Sequence, residues 1–455
     1  MSYIPAATQC AYPKRDGNHI RPLIDGMNAF RRICEAVEAA EKSVWVTVAF
    51  LEEAFQMPDG RGSLFDVLEA AMQKGIDVKV IFWRSPTLES NSRNIHFHGQ
   101  DYQRKLLMEN RFTFQAQWDY LPNGKCHHQK SWLIDADTTR EIAFVGGINL
   151  GVADVVEVGH PASEGGSTHD VYCELMGPSA TDVHHNFVQR WNESSERSKA
   201  DGSWPITDLP QLTFPVALSK TAGSTSVQLS RTVRRNQYIN RAAAIGMDPL
   251  PIELGEKSTL EQYLLAIGNA KRTIYIEDQA IASLEAMQKL EAALQRGVKV
   301  VFLVPGNANS AYTEGRRLTP DLPMYKMLSD LAQYPNFTLA AIASQFANGS
   351  YCEIYVHAKI AIVDDCWATI GSCNFADRSF HSDTELNVTF WDEVVSKQFR
   401  VDLFKEHLNA DTSNMTDEAA LEIFRSTASN NAQKRADNHT LVGLAYEIDP
   451  VNYGL

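Results

Sequence analysis

Cysteine is scarce in this chain, with 7 among 455 residues. Cys10, Cys34, Cys126, Cys173, Cys352, Cys366 and Cys373 form no Cys-x-x-Cys pair and are odd in number. This excludes a disulfide framework and a zinc module, and the thiols are read as reduced. Positive charge is also in deficit: 42 Lys plus Arg stand against 56 Asp plus Glu, a formal net charge of −14. Such a chain is ill suited to binding nucleic acid non-specifically, because neutralising phosphates needs cations in excess. It has no polybasic stretch of the kind drawn to anionic membrane surfaces. No run of about 18 apolar residues occurs, so no transmembrane segment is expected. The start, Met1-Ser2-Tyr3-Ile4-Pro5-Ala6-Ala7, lacks a basic stretch followed by an apolar core. No signal peptide is read there and a cytoplasmic location is expected, although a secreted chain whose leader had been removed would look the same. Apolar residues are plentiful at 44%, enough for a large core. The length is too great for one ordinary domain and implies two or three.

The apolar spacing alternates between helix and strand. Ala29–Ala40 suits an amphipathic helix, Ser43–Leu51 a strand, Ser63–Lys74 a helix ending at Gly75, and Val78–Trp83 a buried strand. The cycle then recurs as helix Leu260–Ala270, strand Thr273–Ile276, helix Leu284–Arg296 ending at Gly297, and strand Val298–Val304. The run from Ala70 to Gly75 answers that from Ala292 to Gly297, which indicates an internal duplication. Alternating elements imply an α/β sheet with helices on its faces. The polar, Pro- and Gly-rich stretch between Asn192 and Ser226 is the expected boundary, dividing the chain into halves 1–205 and 206–455. A second irregular stretch, Arg234–Glu256, carries Tyr238, Ile239, Ile245, Met247, Leu250, Pro251 and Ile252. It is long for a connector and is expected to border a substrate entrance.

Each half carries one His-x-Lys-x-x-x-x-Asp: His128, Lys130 and Asp135 in the first, His357, Lys359 and Asp364 in the second. Two such motifs half a chain apart arise by chance in well under ~1% of chains, so the doubled motif outweighs the ordinary reading of each residue as a packed or solvated side chain. The apolar run before each Asp reads as a strand, which would set His and Lys on one face. A Gly-x-x-Asn follows each motif, ending at Asn149 and at Asn374, and a carboxylate follows in turn, Asp170 in one half and Glu385 in the other. This set suits phosphodiester cleavage. Lysines and asparagines neutralise the anion and the charge that develops on it. One imidazole attacks phosphorus, and the other protonates the leaving alkoxide and then deprotonates the incoming water or alcohol. A carboxylate behind each His fixes its tautomer. No cofactor is expected, and no metal, because the lysines supply the positive charge. The His127-His128 and His184-His185 pairs have no ligand partners at metal spacing along the chain.

These residues resemble the phospholipase D superfamily, whose signature is the doubled motif, over roughly residues 20–409. Tyr275-Ile276-Glu277-Asp278-Gln279 is similar to a family segment in which Asn is usual at the place of Asp278. Gly371-Ser372-Cys373-Asn374, with Arg378 and Ser379 after it, resembles another tract, as do Arg190-Trp191-Asn192 and Glu406-His407-Leu408, with Asn409 where Gly is usual. The flanking tracts are most like those of transphosphatidylating phospholipases D. The resemblance implies two α/β/α sandwich halves related by a pseudo-twofold axis, with one site between them. It implies His128 as nucleophile and His357 as general acid and base, or the reverse. Lys130, Lys359, Asn149 and Asn374 would hold the phosphate, and Asp170 and Glu385 would each orient one His. Asp135 and Asp364 would be structural, with Glu277 and Gln279 supporting the site. Thr47 falls near the place that Glu277 takes in the second half. The implied partners are a phospholipid in membranes or micelles and an alcohol acceptor, with no nucleic acid. The implied state is a monomer, since one chain holds both motifs. A superfamily nuclease, a cardiolipin-synthase-like phosphatidyltransferase and an inactive scaffold are the competing readings. Net acidity opposes the first, the absence of an N-terminal membrane helix the second, and the intact His and Lys of both copies the third.

Overall fold

The structure is a computed structural model describing residues 3–85, 97, 99, 100, 102, 103, 105, 109, 112–194, 203, 204 and 209–455. The boundary expected at 205/206 lies outside the described residues.

The first unit contains β1 (Arg15–Ile24), β2 (Ser43–Val48), β3 (Asp77–Arg84), β4 (Gln115–Tyr120), β5 (Ser131–Ile134), β6 (Ile142–Gly146), β7 (Thr168–His169), β8 (Val171–Met176) and β9 (Ser203–Trp204). Its helices include α1 (Gly26–Glu38), α2 (Leu64–Gln73) and α3 (Ala180–Glu193). The second unit contains β10 (Thr225–Val233), β11 (Glu256–Lys257), β12 (Thr273–Asp278), β13 (Lys299–Leu303), β14 (Phe337–Gln345), β15 (Tyr351–Val356), β16 (Lys359–Val363), β17 (Trp367–Gly371), β18 (Glu385–Trp391) and β19 (Ala445–Glu447). Its helices are α4 (Ser258–Asn269), α5 (Leu284–Gln295), α6 (Ser310–Leu318), α7 (Pro323–Leu331), α8 (Asp377–His381), α9 (Glu393–Leu408) and α10 (Asp417–Ala436).

The duplication is visible in the strand order. The first sheet runs β1-β8-β6-β5-β2-β3-β4, with four antiparallel junctions and then two parallel ones. The second runs β10-β18-β17-β16-β12-β13-β14 with the same sequence of junctions. The Arg15 end of β1 also pairs with β10, so the two sheets are continuous. The strand Ser43–Val48 is buried at every position, as expected where helices cover both faces. Gly75 and Gly297 end α2 and α5 at equivalent places with φ of 83° and 90°, a left-handed conformation that costs glycine nothing.

Three apolar layers result. Phe30, Ile33 and Leu68 of α1 and α2 cover Val44, Val46 and Val80 on the outer face of the first sheet. Leu260, Met287, Leu290 and Leu294 of α4 and α5 cover Ile274, Ile276 and Val300 on the second. The inner faces meet α3, α9 and α10 in one shared core, where Phe187 stacks on Trp45 at 5.2 Å and Tyr275 lies edge-on to Phe404 at 4.9 Å. Each unit is therefore an α/β/α sandwich. The N-terminal segment departs from the chain order. Ile4 is buried in the second unit's outer core, Trp391 Nε1 donates to its carbonyl at 2.8 Å, and Ala7 N–H donates to Gln228 and Gln262.

Candidate active site

Both motifs end in strands. Lys359 opens β16 and Ser131 opens β5, so His128 and His357 stand in the lead-ins rather than within the strands as the alternation implied. Each Lys nonetheless turns back on its own His. Lys130 Nζ donates to the His128 carbonyl at 2.8 Å, and Lys359 Nζ to the His357 carbonyl. The lead-ins are held by the opposite unit. His128 N–H donates to Thr384 O at 3.0 Å, and His357 N–H to His169 O at 2.8 Å.

The carboxylates also cross between units. His128 Nδ1 lies 3.0 Å from Glu385 Oε2 and 3.0 Å from the Ser372 carbonyl. His357 Nδ1 lies 2.6 Å from Asp170 Oδ2. This settles a pairing that the sequence left open. Ser372 Oγ donates to Glu385 Oε2 at 2.6 Å, a contact that had no signal of its own in the sequence. With both Nδ1 atoms engaged, each Nε2 is left for the cavity. Burial and the two lysines hold both imidazoles well below the ordinary histidine value, so they are neutral bases at rest. Burial pushes the Glu385 and Asp170 carboxyls up to about 7. Burial and the neighbouring Lys359 bring Lys130 down to about 8.

Asn149 and Asn374 stand at equivalent places in the cavity wall, each with a buried Oδ1 that lacks a partner. Gln279 lines the cavity and accepts from Tyr355 O–H at 3.3 Å. Phe50, Glu52, Trp83, Asp154 and Tyr355 line it too. Sequence reasoning missed all five, since no local pattern marks them. Asp135 and Asp364 do not face the cavity. Asp135 Oδ1 accepts the N–H groups of Glu41, Lys42 and Ser43, and Asp364 those of Lys271, Arg272 and Thr273. Asp278 accepts Ala280 N–H on one oxygen and Phe375 N–H on the other, and burial pushes its carboxyl up to about 8.

One expectation is corrected. The Arg234–Glu256 stretch does not border the cavity: Tyr238 and Leu250 pack on Val233, Met247 packs on the inner core, and His185 of α3 contacts the Ala242 carbonyl. The helices α6 and α7 line the cavity instead, through Tyr312, Met324 and Tyr325. A buried cluster between the units had no signal in the sequence. His169 bridges Asp25 and Glu277 at 2.8 Å each, His407 reaches Glu277 at 3.0 Å, and His160 lies 3.4 Å from Glu406, all fully buried between the units. The donor atoms of Asp25, His160, His169 and Glu406 lie within 4.8 Å of one another, a set that could hold a cation. Its members come from four separate segments, which spacing along the chain cannot reveal. Glu277 thus supports the site from behind through His169, whose carbonyl holds His357.

The family model described as "Phospholipase D" matches residues 162–295, and the one described as "Cardiolipin synthase, PLD-like domain" matches residues 263–407. The chain belongs to the phospholipase D superfamily. Phospholipase D A of Dictyostelium discoideum is 24% identical over 87% of this chain and 36% of its own length. Cardiolipin synthase 1 of Staphylococcus epidermidis (strain ATCC 12228 / FDA PCI 1200) is 24% identical over 85% of this chain and 67% of its own. Phospholipase D alpha 3 of Arabidopsis thaliana is 25% identical over 63% and 49%. The chain thus spans between about a third and two thirds of the phospholipases D it matches. Phosphatidylserine synthase of Haemophilus influenzae Rd KW20 shares the fold, with a TM-score of 0.55 at 13% identity, covering 94% of this chain and 97% of that one. Among the described residues no helix is long and apolar enough to cross a membrane.

Proposed function

We propose that this superfamily member is a phospholipase D. It hydrolyses the distal phosphodiester of a glycerophospholipid such as phosphatidylcholine, giving phosphatidic acid and the head-group alcohol. The observation that carries the reading is the pair of buried imidazoles on one cavity, each braced by a carboxylate from the opposite unit. The phosphate sits between Lys130 and Lys359, with Asn149 and Asn374 donating to its oxygens. His128 Nε2 attacks phosphorus, the bond to the head-group oxygen breaks, and His357, which has taken up a proton on Nε2 as the anionic phosphate bound, gives it to that oxygen. Water then attacks the phosphohistidine, His357 takes its proton, and the P–N bond breaks. An alcohol in place of water gives head-group exchange. The names of the relatives support phospholipid chemistry, and the net charge of −14 disfavours a nuclease. The chain acts as a monomer in this reading, because it carries both motifs.

Incubation with phosphatidylcholine and ethanol is expected to yield phosphatidylethanol beside phosphatidic acid. His128→Ala and His357→Ala should each leave less than about a tenth of the turnover. Plasmid cleavage without phosphatidylethanol would overturn the reading in favour of a nuclease. The match of residues 263–407 to a cardiolipin synthase domain favours a second reading, a phosphatidyltransferase whose acceptor is a second lipid. Cardiolipin formed from phosphatidylglycerol alone would select it.

A further inference from the structure

The cavity at the histidine pair has two chambers, and they occupy equivalent places in the duplicated fold. One, about 480 Å³, meets both His128 and His357. The other, about 580 Å³, meets His128 and Asn374. Strand register fixes the equivalence: Thr47 faces Ser131 as Glu277 faces Ile360, directly after Lys130 and Lys359. Three and five residues beyond Thr47 lie Phe50 and Glu52, and three and five beyond Glu277 lie Ala280 and Ala282. Five beyond Asn149 lies Asp154, and five beyond Asn374 lies Ser379. Glu52 and Asp154 line the first chamber alone, Ala280, Ala282 and Ser379 line the second alone, and Phe50 stands between and lines both. The duplication has therefore diverged where the chambers need to differ. At these places the first chamber carries two carboxyls and the second two alanines and a hydroxyl, while the second chamber's Asp383 is already paired with Arg378 at 2.7 Å.

We infer that Glu52 and Asp154 form the subsite for a cationic head group, an inference that rests on the phospholipase reading above. Glu52 Oε2 is fixed by Val152 N–H at 2.9 Å, which aligns the two acidic segments. Burial drives the Asp154 carboxyl up to about 7 and neighbouring Glu52 adds to it, so a cation beside the two relieves Asp154. Phe50 stands edge-on to His128 at 6.0 Å and Tyr355 stacks on His357 at 6.2 Å, so aromatic rings flank the same space. Rings together with carboxylates suit a quaternary or primary ammonium. Asn149 adds a buried acceptor without a partner. The leaving alcohol then departs beside His357, which meets only this chamber among the two. That places the proton donor on His357 and the nucleophile on His128, the choice that the near-symmetry of the sequence left open. The glycerol and acyl side falls to the chamber of Ala280, Ala282 and Met324.

The test uses the whole chain and mixed micelles of phosphatidylcholine or phosphatidylglycerol. The wild type is expected to favour phosphatidylcholine in kcat/KM by about ten-fold, the factor of a partly desolvated charge contact. Glu52→Gln and Asp154→Asn should each lower that ratio several-fold. A second measurement needs no variant. Free choline should inhibit phosphatidylglycerol cleavage at about ten-fold lower concentration than its neutral isostere 3,3-dimethylbutan-1-ol. An unchanged ratio in folded variants, or equal inhibition by the two alcohols, would overturn the subsite. Failure of the wild type to turn over any phospholipid would instead remove the phospholipase reading itself.

Discussion

Glu385 and Lys130 set the pH range in which His128 can attack. The nucleophile needs Nδ1–H directed at an ionised carboxylate and a lone pair on Nε2. Below about 7 Glu385 is protonated, it donates to Nδ1, and the imidazole takes the wrong tautomer. Above about 8 Lys130 loses the charge that holds the phosphate. kcat/KM should therefore rise as pH passes upward through about 7 and fall as it passes about 8. Glu385→Gln should flatten the acid limb, because the amide cannot titrate, and lower the rate by up to about 10⁴-fold, because the amide N–H imposes the wrong tautomer on His128. An acid limb that persists in Glu385→Gln would assign it to Asp170, which titrates in the same range behind His357. The doubled motif was legible in the sequence because the chemistry demands a fixed local spacing. The partner of each His was not, since Glu385 stands 257 residues from His128 and only the docking of the units joins them. Phe50, Glu52, Asp154 and Tyr355 were illegible for a related reason: each is a single residue that gains meaning only from the wall it shares.

The last Asp of each motif works at the scale of the element. Asp135 and Asp364 take left-handed φ of 57° and 53° at the ends of β5 and β16, and each gathers three backbone N–H groups at the start of β2 or β12. They tie the strand that delivers His and Lys to the strand beside it. Asp364→Asn keeps the backbone geometry but loses the charge that strengthens those bonds, and should cost about 1–3 kcal/mol in urea unfolding. Activity per folded molecule should stay within about threefold, since the His357–Asp170 contact is independent of this turn. A loss of turnover as severe as that of His357→Ala would contradict a structural role. The helix and strand spacing predicted these elements to within a few residues. It misplaced the Arg234–Glu256 stretch because an irregular apolar segment reads alike whether its side chains line an entrance or, like Tyr238 and Leu250, pack against a neighbouring strand.

Across the whole molecule, the site exists only while the two units stay docked, and a buried ionic network lies at their seam. Asp25, His160 and His169 come from the first unit, and Glu277, Glu406 and His407 from the second. Burial alone would raise the carboxyls of Asp25 and Glu277. The adjoining His169 imidazolium outweighs it and holds both well below the usual carboxylate range. Those two carboxylates in turn hold His169 well above its ordinary value against burial. The signs fix the pH window. The carboxylates stabilise the fold fully above their unfolded values near 4 and lose that contribution as pH falls through their lowered values. His169 contributes fully below about 6.5, and its share is lost as pH rises through its raised value. The seam is thus strongest at about pH 5–6. Glu277→Gln leaves the His169 charge without one of its two carboxylates, and breaking a buried pair costs about 3–5 kcal/mol. Because the His169 carbonyl also receives His357 N–H, the variant should lose stability and activity together, with one urea midpoint for both. Removing the exposed Arg140–Glu41 pair should move neither by more than about 0.5 kcal/mol. A Glu277→Gln protein with wild-type stability at pH 5.5 would mean that the apolar inner core, rather than this network, holds the two units together.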